Sequence, residues 1–402
     1  MIELRIMFYK TYKMKFNLSK LVLPVLLMAT VATGCKKDYD DGIRPPTGGG
    51  GTNAVIDWQK AADSSTRALM LHFWNGQGYF NEKNNNTNFH YWPNGHGLDV
   101  LVDAYLRTND PAFKNYMDNW YTGVRQKNGN TFINEYYDDM DWNALAMLRA
   151  YEATNDVKFK NAVDVLWADI KTGWNSTMGG GIAWRKAMPY YKNTPANGPA
   201  AILAARLYRK FQNPDDLEWS KKIYTWLKDS LYNKSTGWVY DGMNDKNDGQ
   251  RNTTWKFTYN QGTFIGAAVE LYKITNDAGY LNDAIQAANF TLSDNTLTNG
   301  TDNLLRDEGG GDGGLFKGVF VRYFTELILA PGMLSSNKTR YVNYLKHNAE
   351  TLWNQGTDKS YLLFGSYWKN KPGATTDLTV QLSGAMLMEA LAVLDENGLI
   401  KK

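Results

Sequence analysis

The chain holds one cysteine, Cys35, so no intramolecular disulfide can form and no cysteine cluster can hold a metal. Its four histidines, His72, His90, His96 and His347, lack metal-ligand spacing, and no metal or other cofactor is expected. Residues 244–249 superficially resemble a calcium loop, but Lys246 and Trp255 stand where an EF-hand needs ligands. There is no Gly-x-Ser-x-Gly elbow. The glycine run 48–51 has no strand before it and no Gly-Lys-Ser/Thr after it, which excludes a phosphate loop. Net charge is only +3 and no basic stripe is present, so nucleic acid is not an expected partner. Strictly alternating β-branched runs are scarce, which argues against a β-rich fold. The apolar run 21–31 contains Pro24 and is too short to anchor across a bilayer.

That run instead reads as the core of a secretion signal. Lys10, Lys13, Lys15 and Lys20 precede it, and Ala32-Thr33-Gly34-Cys35 closes it. Small residues directly before a cysteine resemble a bacterial lipobox, with Cys35 lipidated after cleavage. Residues 1–34 are thus expected to be a lipoprotein signal peptide, and 35–53 a lipidated cysteine with a flexible Pro- and Gly-rich tether. The acidic cluster 38–41 resembles surface-export signals of Bacteroidota lipoproteins. The expected location is the outer membrane, facing the cell surface or the periplasm.

Residues 54–402 carry helical patterning almost throughout. Six segments share an aromatic or polar lead-in followed by a helix rich in Ala, Gly and large apolar residues. They begin near Trp92, Asp138, Asn197, Asn260, Phe316 and Leu378, roughly every 57 residues. Six more charged, one-sided helices fall near 54–74, 111–127, 156–171, 215–230, 278–294 and 337–354. Alternating buried and half-exposed helices predict an all-α (α/α)6 toroid of six inner and six outer helices in one domain. An open superhelix is the other packing this pattern allows.

In a toroid the inner helices start at one end, so their lead-in residues line a common cleft. Those residues include Trp92, Tyr136, Tyr137, Asp138, Asp139, Trp184, Tyr259, Asn260, Gln261 and Asp312. Aromatics make up 14% of the chain, with 14 Trp and 25 Tyr, more than a core needs, and flat rings suit sugar faces. Asp138-Asp139 is the most informative feature. Glycosidic cleavage needs one acid to protonate the leaving oxygen and a second carboxylate at the sugar carbon. The bland alternative is a helix cap. The same choice stands for Asn260, while Trp184 could be ordinary packing, Asp312 a surface turn, and Lys317 and Arg322 structural ion-pair partners.

Tyr136-Tyr137-Asp138-Asp139 with Trp142 and 144–146, Tyr259-Asn260-Gln261 with 262–266, 316–323 and 381–385 together resemble glycoside hydrolase family 76, the α-1,6-mannanases. The resemblance covers roughly 54–395. It implies an (α/α)6 fold, endo-acting cleavage of α-1,6-linked mannan and a retaining mechanism; separately, a monomer is expected. It further implies Asp138 as nucleophile and Asp139 as acid/base. Tyr136, Tyr137, Trp92, Trp184, Tyr259, Asn260, Gln261 and Asp312 are expected to contact substrate. Asn143 departs from a second Trp common in the family, which bears on the adjacent sugar subsite. Two rivals remain at this level: a non-catalytic surface glycan-binding lipoprotein, and a transglycosidase of the same fold.

Overall fold

The computed structural model describes residues 55–400. The signal peptide, Cys35 and the tether expected over 1–53 lie outside the described residues.

Among the described residues, twelve α-helices alternate between two concentric rings. The outer helices are α1 (Trp58–Phe73), α3 (Pro111–Lys127), α5 (Val157–Thr172), α7 (Pro214–Ser230), α9 (Ala278–Ser293) and α11 (Ser335–Thr351). The inner helices are α2 (Tyr91–Thr108), α4 (Tyr137–Thr154), α6 (Thr194–Phe211), α8 (Thr258–Thr275), α10 (Gly313–Leu329) and α12 (Leu378–Glu396). The inner helices pack side by side in chain order, and α12 returns to α2 to close the ring. Closure excludes the open superhelix and gives the expected (α/α)6 toroid. Helix α12 is long and apolar enough to cross a membrane, but most of it is buried within the protein.

Close packing of the inner ring needs small residues at the crossings. A Cβ on Gly262 of α8 would stand 2.6 Å from Phe320 Cα of α10, and one on Gly318 would stand 2.8 Å from Ser383 Cα of α12. Asn143 also sits at a crossing. Its Nδ2 donates to Asp139 O (2.8 Å), and it presses against Gly95 of α2. It therefore points at the neighbouring helix and not into a sugar subsite, which corrects the sequence expectation.

The two ends of the toroid are built differently. At one end, inner helices pass to outer helices through short turns, of two residues at four connections and of five (330–334) between α10 and α11. Asn109, Asn155, Gln212 and Asn276 end their helices in the left-handed conformation, with φ of 55–59°. Asp110, Asp156, Asn213 and Asp277 then cap the next helix by accepting a first-turn N–H. At the other end, long connections carry short antiparallel strands: β1 (Trp74–Asn75) with β2 (Tyr79–Phe80), and β3 (Ala183–Arg185) with β4 (Met188–Asn193) and β5 (Gly242–Met243). Further pairs are β6 (Thr298–Asn299) with β7 (Leu304–Leu305), and β8 (Thr357–Asp358) with β9 (Leu363–Phe364).

Buried side-chain amides pin these connections to the helices. Asn94 of α2 donates to Phe80 O (3.0 Å) and accepts from Phe80 N–H (2.7 Å). Asn197 of α6 does the same with Ile182, at 2.9 and 2.8 Å. Gln261 of α8 accepts from Val239 N–H and donates to Gly237 O, and Gln381 of α12 accepts from Phe364 N–H and donates to Leu362 O. Each clamp satisfies backbone groups that would otherwise be buried without partners.

The lower half of the axis is filled by charge. Arg149 pairs with Asp99 (2.6 Å) and Asp103 (2.5 Å), and Arg322 pairs with Asp103 (2.7 Å). Burial pushes the Asp99 carboxyl up, but Arg322 and Arg149 overcome it and hold it at about 2. Arg206 joins Glu326 (2.5 Å) and Glu270 (3.3 Å), tying α6 to α10 and α8. The structural reading of Arg322 is thus the observed one. Lys317 is buried, donates to Ser366 O (2.8 Å) and lies over Trp368.

Replacing Asn197 by Ala would leave Ile182 N–H and C=O buried without partners. We expect a loss of about 2–4 kcal/mol in denaturant unfolding. Lys234→Ala removes the solvent-facing pair with Asp229 and is expected to change stability by about 0.5 kcal/mol or less.

Candidate active site

Where the inner helices begin, their lead-ins surround a cavity of about 640 Å³. Its lining includes Asp138, Asp139 and Trp142 from the start of α4, Tyr136 just before it, Trp184 and Tyr191 from the β3–β4 hairpin, and Tyr259 from α8. Trp92 of α2 and Asp312 at the head of α10 close another side.

The Asp pair is not the cap of α4. That position belongs to Tyr136, whose side chain makes no capping bond, and the two acids lie in the first turn. The local sequence places them there because the segment before α4 is stitched to the β3–β4 hairpin. Tyr136 and Arg185 form a β-bridge, Arg185 Nη1 donates to Tyr136 Oη (3.2 Å), and Trp184 packs on Tyr136 at 5.3 Å. This brings Trp184 Nε1–H to Asp138 Oδ2 at 3.2 Å, while the Asp139 N–H donates to Asp138 Oδ1 at 3.1 Å.

The two carboxyls therefore differ. Asp138 accepts two donors, whereas among the described residues none is seen to donate to the Asp139 carboxyl. Burial raises Asp138 to about 7, with the two donors opposing the rise. Burial, then Asp138 and Asp312, push Asp139 well above the usual carboxylate range. The N-terminus of α4 favours a charged Asp138, but desolvation outweighs it. The surplus proton belongs on Asp139, which has the fewer donors and the like-charged neighbours.

Across the cleft stands a further acid that the sequence reading missed. Asp241 accepts from Tyr191 Oη (3.2 Å), Tyr259 Oη (3.1 Å) and Asn260 Nδ2 (3.0 Å). Burial still raises its carboxyl. Tyr259 is stacked on Phe316 at 3.9 Å, and Phe257 meets Phe316 edge-on. Asp245, Trp255 and Phe257 line this side as well. Asp241, Asp245, Trp255 and Phe257 lie in the long α7–α8 connection, where no helical period marks them. One signal was available: Trp238-Val239-Tyr240-Asp241 repeats the aromatic-then-acid order of Tyr136-Tyr137-Asp138.

Of the expected substrate contacts, Trp92, Tyr136, Trp184, Tyr259 and Asp312 line the cavity. Asp312 accepts from Trp92 Nε1–H at 2.8 Å and lies 3.7 Å from His90 Nε2. Three do not line it. Gln261 spends its amide on the clamp to 237–239 and on Ala287 O. Tyr137 packs beneath Gly173 with its hydroxyl at Thr172. Asn260 is buried behind Asp241 and holds it; Phe257, not Asn260, is the cap of α8. Among the described residues no cluster of three His, Cys, Asp or Glu is arranged to hold a metal.

Comparison with known proteins follows the same lines. The GH76A alpha-1,6-mannanase from Salegentibacter sp. is 44% identical, with a TM-score of 0.82 over 84% of this chain and 100% of that one. An inactive variant of that enzyme, with two aspartates changed to alanine, has been solved in complex with alpha-1,6-mannotetrose; it is 43% identical over the same shares, with a TM-score of 0.82. A mannan endo-1,6-alpha-mannosidase of Candida glabrata is 26% identical over 46% of each chain. The chain spans about half the length of the curated relatives it matches. The sequence profile of Glycosyl hydrolase family 76 matches residues 57–402, and the chain belongs to that family.

Proposed function

We propose that this protein is a retaining, endo-acting α-1,6-mannanase, tethered to the outer membrane through lipidated Cys35 and acting as a monomer. The observation that carries the reading is the unequal pair: two consecutive half-buried carboxylates, one with two donors and one with none, at the floor of an aromatic cleft. The similarity to α-1,6-mannanases supports the choice of glycan.

Asp138 attacks the anomeric carbon while Asp139 protonates the departing glycosidic oxygen. Asp139 then takes a proton from water, which releases the mannosyl unit from Asp138. The donors on Asp138 favour its ionised form and hold it in place. Asp312 raises Asp139 and so keeps its proton on until transfer. Asp241, fixed by three donors, presents its carboxylate to sugar hydroxyls, and the Tyr259–Phe316 stack offers an aromatic surface for the ring.

Incubation with unbranched α-1,6-mannan tests this directly. We expect mannooligosaccharides from the unaltered chain, and a loss of about 10³-fold or more in Asp138→Asn and Asp139→Asn with folding retained. Absence of products, with binding intact in all three, would leave a glycan-binding protein or a transglycosidase.

Activity needs Asp138 ionised and Asp139 protonated, so kcat/KM should be bell-shaped in pH. Its acid limb should lie toward 7, well above the ordinary carboxylate range. The Asp312 charge raises both carboxyls, so Asp312→Asn lowers both and should move the whole profile to lower pH. An unmoved profile would contradict the assignment.

A further inference from the structure

A second cavity of about 270 Å³ opens beside the cleft and shares two residues with it, His90 and Asp312. It lies between the segment before α2, the glycine-rich approach to α10 and the first turn of α12. Lys83 Nζ lies 3.2 Å from Asp377 Oδ1, whose other oxygen accepts the Gly311 N–H at 2.7 Å. Glu82 is held by Asn86 and Asn88 Nδ2 at 3.4 and 3.3 Å. The wall is therefore built and braced, and none of these groups belongs to the mechanism described above.

Its chemistry selects a ligand class. The ion pair satisfies the one lysine, and Glu82 and Asp312 add acceptor character, so an anion would be repelled. Pro93 and Leu378 supply an apolar patch beside these acceptors. Thr379 lines the cavity at 4% exposure, and its hydroxyl has no partner among the described residues. A buried hydroxyl left unpaired is costly unless something supplies a partner. Hydroxyl donors around a ring with one apolar face would meet all three features. The volume is below the range of about 300–1,000 Å³ of drug-sized pockets, which fits a single ring.

We propose that this cavity is an additional subsite for one neutral hexose of the glycan bound in the main cleft. The inference rests on the mannanase reading and extends it. The occupant is either the next unit of a backbone running past Asp312 or a single-unit branch on that backbone. Both present the same hydroxylated ring.

The test compares the unaltered chain with Lys83→Ala and Thr379→Val. Substrates are linear α-1,6-mannooligosaccharides of increasing length and a mannan with single mannosyl branches; thermal unfolding checks that each variant is folded. For a backbone occupant, kcat/KM on the longer linear substrates should fall roughly three- to tenfold in each variant, with the shortest cleaved substrate unaffected. For a branch occupant, the same fall should appear on the branched mannan alone. An equal fall on all substrates, or none on any, would overturn the subsite. No cleavage of any substrate by the unaltered chain would instead overturn the mannanase reading, and the inference with it.

Discussion

Six helix N-termini converge at one end of this toroid, and the connections entering that end must bury their backbone without losing hydrogen bonds. The clamp amides meet that constraint. Asn94, Asn197, Gln261 and Gln381 each reach back from the first turns of an inner helix to the strand or loop just before it. Those connections carry the cleft walls, so the clamps set where Trp184, Asp241 and their neighbours stand. The opposite end has turns of two residues, and one of five, and none of them lines the cleft. Function is confined to one face of the ring by the lengths of its connections.

The axis divides in the same way. Its lower half holds paired charges: Arg149 and Arg322 with Asp99 and Asp103, and Arg206 with Glu270 and Glu326. Its upper half holds carboxylates without cations. No arginine or lysine neutralises Asp138 or Asp139 among the described residues, so desolvation acts on them almost unopposed. The same burial that raises Asp99 is overcome there by two guanidiniums, and at Asp138 two neutral donors only moderate it. Ion pairing below supports structure, and its absence above leaves titratable groups suited to proton transfer.

Much of the fold was legible because its signals are periodic. Inner-helix starts read near Trp92, Asp138, Asn260 and Leu378 fall within two residues of Tyr91, Tyr137, Thr258 and Leu378; those near Asn197 and Phe316 lie three inside Thr194 and Gly313. The site was legible only in part. Residues on helix lead-ins, such as Trp92 and Asp138, could be placed because helix phase placed them. Gln261 misled because a polar residue at an inner-helix start looks like a ligand contact, although its amide is satisfied by backbone 237–239. Asp241 was missed for the converse reason. It lies on a long connection, and only tertiary folding brings it to Tyr191, Tyr259 and Asn260. Tyr137 and Tyr136 are adjacent, yet one packs under Gly173 and the other faces the cleft, a difference of helix phase at a boundary that sequence fixes poorly.

The central claim is that Asp138 forms a covalent mannosyl intermediate while Asp139 exchanges the proton. Reaction with an activated, fluorinated α-mannosyl donor, followed by peptide mass spectrometry, addresses it most directly. The account predicts one added mannosyl unit on the peptide carrying Asp138, and specifically on that residue. A label on Asp139 or Asp241, or turnover giving the inverted anomer with no labelled protein, would contradict it.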